Sequence, residues 1–146
     1  MDKFTQDYLI AALWSSTGDD DEPLDRDHSI SDIAPEAIER AEKDCAQFQA
    51  ANLADFALAD LKEGHGGHNF WLSRVGHGSG FFDEHSFSVC PADNETWTFG
   101  ERVAKKNALD LTCNCPYHAC QRLQDAARKF GNVDIYKGDD SKLYFS

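Results

Sequence analysis

Six of the chain's ten glycines fall between positions 64 and 80, interleaved with three histidines and a run of aromatic and apolar residues. Glycine gives up more conformational freedom on folding than any other residue, so it is placed where the backbone must turn sharply or approach another group closely. Within this stretch Phe70, Leu72 and Arg74 alternate with Trp71, Ser73 and Val75, and Gly76-His77-Gly78-Ser79-Gly80 separates them from Phe81 and Phe82. Alternation on both sides of a glycine-rich turn predicts a β-hairpin.

The flanking segments read as helices. Thr5 is a candidate cap for a first helix, with Phe4 and Leu9 placed as a hydrophobic staple and Phe4, Tyr8 and Ala12 along one face. A second begins after Asp32, with Pro35 in its first turn and Glu36 and Glu39 near the positive end of its dipole. Ile38, Ala41, Cys45 and Phe48 recur at helical spacing, and the pattern slips near Ala51 and Asn52. A last helix carries Leu123, Ala126, Ala127 and Phe130 and stops at Gly131. A second hairpin then closes on Lys137-Gly138-Asp139-Asp140-Ser141. The expected fold class is α+β: N-terminal helices on a small antiparallel sheet built from two hairpins, with a C-terminal helix between them. Residues 1–146 suit one domain, containing an acidic mobile loop at 18–31 and a cysteine-bearing excursion at 84–116.

Charge divides the chain unevenly. Residues 1–63 hold 16 acidic and 5 basic side chains, whereas residues 64–146 hold 10 and 9. The carboxylates that lead this imbalance are Asp19, Asp20, Asp21, Glu22, Asp25, Asp27, Glu36 and Glu39. Such a surface repels a phosphate backbone, so direct nucleic-acid binding is not expected, and a basic protein is the partner it suits. A solvated, solubilising face is the plainer reading of the same residues. No apolar run reaches the ~20 residues that span a bilayer, and the first residues lack the pattern of an export signal, so a cytoplasmic setting without membrane attachment is expected.

The segment from Gly67 through His68, Trp71, Arg74 and His77 to Asp83 resembles a motif of a family of small uncharacterised proteins carried by bacteriophages and plasmids. Positions 4–16, 32–39 and 129–145 are similar to that family's flanks in the same order, so the resemblance covers roughly two-thirds of the chain. Phe82 stands where tryptophan is usual, and 84–116 reads as an expansion peculiar to this sequence. The resemblance implies a setting, a mobile-element accessory protein inside a bacterial host cell, and assigns no catalytic residue.

The remaining chemistry lies in thiols and imidazoles. Cys113, Cys115, His118 and Cys120 fall within eight residues, and thiolate with imidazole is the donor set of structural zinc sites. Pro116 suits the first helical position, which makes Cys115 the cap and separates His118 from Cys120 around the helix. Cys120 joins the apolar stripe of Leu123, so a site of Cys113, Cys115 and His118 completed by Cys90 is the preferred zinc-ligand set. Unligated thiols, a Cys90–Cys113 disulfide in an oxidising environment and a reactive Cys115 are the other readings. His65, His68 and His77 fit a rigid glycine-rich scaffold, a partner contact or an active site, without any metalloprotease or nucleophile-elbow pattern. The leading expectation is therefore a non-enzymatic binding protein that engages, and inhibits or redirects, a basic host protein such as a defence or nucleic-acid-handling enzyme; its strong form is a DNA mimic. The alternatives are a zinc hydrolase combining hairpin histidines with C-terminal cysteines, and a structural or assembly protein.

Overall fold

A computed structural model describes residues 1–85 and 111–146. Cys90 and most of the 84–116 excursion lie outside the described residues. Helix α1 (Lys3–Ser15) is capped by Asp2, whose carboxylate accepts from the Thr5 amide at 2.8 Å, and Thr5, the expected cap, is buried inside the helix. An ionised acceptor at the positive end of the helix makes the stronger, charge-assisted cap. Helix α2 (Pro35–Ala51) has proline at its first position, as the sequence predicts, with Ala34 as its cap. Asp32 serves the preceding 3-10 turn, Ile30–Asp32, by accepting from the Ser29 amide at 2.8 Å.

The helix breaks where the apolar pattern slips. Asn52 caps α2 and donates its side-chain amide back to the Phe48 carbonyl at 2.8 Å. A short α3 (Leu53–Ala59) follows and stops at Asp60, whose φ of 48° is left-handed. Across the 18–31 segment and into Asp32 the chain makes two 3-10 turns, Leu24–Arg26 and Ile30–Asp32, and the Leu24 amide bonds back to Ser16.

The expected glycine-rich hairpin is a helix, α4 (His65–Val75). Phe70, Trp71, Leu72, Ser73 and Arg74 are all buried, so both parities of the apparent alternation face protein. A short apolar run does not distinguish a buried helix from a strand, and tertiary packing decides it here. Gly67 passes so close to α1 that a Cβ would overlap the Phe4 carbonyl oxygen, and Gly76, at φ 68°, closes α4 with its amide on Leu72. The glycines thus serve a helix-on-helix approach and a left-handed cap. Beyond them, the 3-10 turn Phe81–Asp83 is pinned to the last helix: Ser73 Oγ donates to Gln124 Oε1 at 2.5 Å and accepts from the Phe81 amide at 3.0 Å.

Helix α5 (Pro116–Lys129) carries the expected stripe and ends before Gly131 at φ 80°. Strands β1 (Ile135–Lys137) and β2 (Leu143–Phe145) pair antiparallel with Tyr136 opposite Tyr144, forming the one sheet among the described residues. The architecture is mixed α and β, with one hairpin among the described residues in place of the expected two and α5 preceding it. The hairpin docks on the lead-in to α2, where the Ala34 amide donates to the Leu143 carbonyl at 2.9 Å. Between the helices, Phe48 and Phe70 stack with centroids 4.0 Å apart, surrounded by Phe4, Phe56, Phe81 and Phe130.

Candidate functional site

Three groups of side chains carry the chemistry, and they occupy different places. The first is a cluster at the start of α5. Pro116 places Cys115 at the cap, where its sulfur accepts from the His118 amide at 3.4 Å and meets His118 Nδ1 at 3.1 Å. Cys113 approaches from the preceding turn, so one ligand atom from each of Cys113, Cys115 and His118 lies within 4.8 Å of the others. Cys115 and His118 are buried and Cys113 half-buried. This arrangement could hold a metal ion, and two thiols with an imidazole form a soft, zinc-compatible donor set. Cys120 is not part of it: it faces the core, with its thiol 4.0 Å from the Ala59 carbonyl, and burial pushes its pKa up to about 12.

A second feature, unmarked in the sequence, supports this cluster. Arg122, one turn beyond His118, donates from Nη1 to the Cys113 carbonyl at 2.8 Å and from Nε to Asp55 of α3 at 2.9 Å. The 67-residue separation of Arg122 and Asp55 hides the pair from any motif search; only the i,i+4 spacing of His118 and Arg122 was visible.

The second group is a ladder of rings where α4 meets α1. His65 stacks on His68, His68 stacks on Trp14 at 5.6 Å, and Trp14 meets His77 edge-on at 5.7 Å. Trp14 is 36% exposed. Glu84 accepts from Asn69 at 2.9 Å and pairs with His65 Nδ1 at 2.5 Å; burial pushes its pKa up, but these two bonds outweigh burial and hold it below its ordinary value. Desolvation, followed by the neighbouring His65, holds His68 below the usual imidazole range. A carboxylate that orients one imidazole beside a second, partly desolvated one is chemically suited to proton transfer or to ring contact with a partner. Trp14 and Glu84 were not signalled by the sequence pattern.

The other two residues of the motif are structural. Trp71 is buried and donates from Nε1 to Ser15 Oγ at 2.8 Å. Arg74 has a side chain only 4% exposed and pairs with Asp44 at 2.7 Å. It also donates to Tyr8 Oη at 3.1 Å and to the Gly131 carbonyl at 2.8 Å, and its guanidinium lies over the Phe70 and Phe130 rings. Its partner is therefore an internal carboxylate rather than an external anion.

The chain matches no protein-family model, no curated protein and no solved structure.

The third group is acidic. Asp19, Asp20, Asp21, Glu22, Asp25, Asp27, Glu36 and Glu39 are all exposed. Arg26 pairs with Asp20 at 2.8 Å, Asp27 at 2.9 Å and Glu22 at 3.6 Å. Among the described residues, Asp19, Asp21, Asp25, Glu36 and Glu39 make no ion pair. Asp19, Asp20, Glu22 and Asp27 line a cleft of about 620 Å³ together with Tyr136 and Lys137 of the hairpin. Arg26 holds the Asp27 carboxyl below its ordinary range, with a smaller contribution from Lys137. On β2, Tyr144 is pushed up to about 12 by its bond to Asp140 and more weakly by Glu36. Asp27, before the lead-in to α2, and Glu36, in the first turn of α2, are therefore both near one hairpin. Among the described residues no helix is long and apolar enough to cross a membrane.

Proposed function

We propose that the protein is a non-enzymatic accessory factor of a phage or other mobile element that binds a basic surface on a host protein through its acidic face, and inhibits or redirects that protein. A defence or nucleic-acid-handling enzyme is the class of host target we favour, because such enzymes present basic surfaces that attract exposed negative charge. One observation carries the reading: the eight leading carboxylates are all exposed, and Arg26 offsets only part of the 19–27 cluster. Solvent-facing charge of one sign steers an oppositely charged macromolecule and falls away as salt screens it. The hydrolase alternative draws less support, because His68 of α4 and His77 just beyond it gather around Trp14, whereas among the described residues the metal-ligand cluster draws only on Cys113, Cys115 and His118.

The test is capture of host proteins on the full chain at low and high salt, alongside a variant carrying Asp19→Asn, Asp21→Asn and Asp25→Asn. A cytoplasmic bacterial partner lost both at high salt and on the variant is the expected result. A partner held equally in all conditions would sink the proposal.

The zinc reading rests on a separate observation, the convergence of two thiols and an imidazole at the α5 cap. Cys113, Cys115 and His118 would hold the ion, which we take to be structural, with Cys90 as the expected fourth ligand. Elemental analysis of purified protein is expected to give one equivalent of zinc, lost in the double variant Cys113→Ser, Cys115→Ser; metal-free wild-type protein overturns it.

A further inference from the structure

We infer that Arg122 is a positioning residue of the metal centre and couples the centre's occupancy to the seating of α3 on α5; this rests on the zinc reading above. Two of the three ligands are set by helix geometry. Cys115 is the cap of α5 and His118 belongs to its first turn. Cys113 is outside the helix, and its main chain is gripped by a side chain that α5 presents one turn after His118. Ordering a ligand before the metal arrives removes part of the entropic cost of binding, and partners behind the ligands tune affinity for that reason.

The same guanidinium is oriented by Asp55, so the connection runs from the ion through Cys113 and Arg122 into α3. Both side chains are largely sheltered, at 12% and 21% exposure, which keeps their pairing from being screened away. Helix α3 is a short element bounded by the Asn52 break and left-handed Asp60, and its main packing partner is α5. Its terminal carbonyl, on Ala59, already receives the His85 imidazole at 2.6 Å. The Asp55–Arg122 bridge adds an anchor near the helix's other end, and that anchor bears on the metal cluster.

The experiment uses the full chain and Co(II) as the spectroscopic probe, in wild type, R122Q, R122K and D55N. Wild type is expected to show thiolate-to-cobalt charge transfer, R122Q to bind about tenfold to a hundredfold more weakly, and R122K and D55N to fall between them. Zinc is expected to slow amide exchange across residues 53–59 in wild type but not in R122Q at saturating zinc. A merely structural arginine would not abolish that zinc-dependent protection in a variant that still binds the ion. Should R122Q fail to fold, D55N carries the same comparison with the arginine in place. Wild-type cobalt affinity and wild-type α3 protection in both R122Q and D55N overturn the inference alone. Absence of the cobalt band in wild type overturns the metal reading, and this inference with it.

Discussion

Arg74 shows how much a single buried cation can organise. Its guanidinium joins α1 through Tyr8, α2 through Asp44 and the end of α5 through the Phe130 and Gly131 carbonyls. Removing one partner of a buried ion pair leaves the other desolvated and uncompensated, at a cost of about 3–5 kcal/mol. Arg74→Ala is therefore expected to lower the urea midpoint far more than Arg26→Ala, whose ion pairs are exposed, and equal midpoints would refute the assignment. The sequence placed Arg74 in a motif but could not choose its role, because Asp44 lies 30 residues away. The metal cluster was more legible: Cys113, Cys115 and His118 lie in one short stretch, and Pro116 fixed which of them capped the helix. Arg122 and Asp55 were invisible for the opposite reason, since contact between distant segments leaves no local spacing.

At the scale of elements, the α4 assignment separates local propensity from packing. Gly66 and Gly67 weaken a helix intrinsically, and alternating apolar residues favour a strand on pattern alone. Close approach to α1 reverses that preference. In an exposed helix, replacing glycine by alanine stabilises by about 1 kcal/mol. At Gly67 the added methyl meets the Phe4 backbone, which cannot rotate aside, so Gly67→Ala is expected to destabilise by about 2 kcal/mol or more. Thermal unfolding checks the sign; a raised melting temperature would contradict the α1–α4 packing. The α2 break, the α5 stripe and the final hairpin were readable because each carried its own stop signal in Asn52, Gly131 or the Lys137–Ser141 turn. The 64–80 segment was misread because Gly66 and Gly67 answer to another helix and Gly76 ends a helix rather than turning a hairpin.

For the whole molecule, burial of ionisable groups sets a pH limit. Burial pushes the Cys45 and Cys120 thiols up to about 12 from 9.0 and raises the Tyr8 hydroxyl as well. Between those values the unfolded chain releases thiol protons that the folded chain retains, so stability falls as pH rises through the window. Urea midpoints should drop between about pH 8 and about pH 10.5, less steeply in the double variant Cys45→Ala, Cys120→Ala. A flat profile would show that these thiols are not desolvated. The ring cluster around Phe48 and Phe70 bears on how the chain reaches this state. Its members arrive from α1, α2, α3, α4, the Phe81–Asp83 turn and the residue that caps α5, spread from position 4 to position 130. Fragments cut from either end would leave the stack with missing walls, so partially assembled forms gain little and loss of structure is expected to proceed in one concerted step.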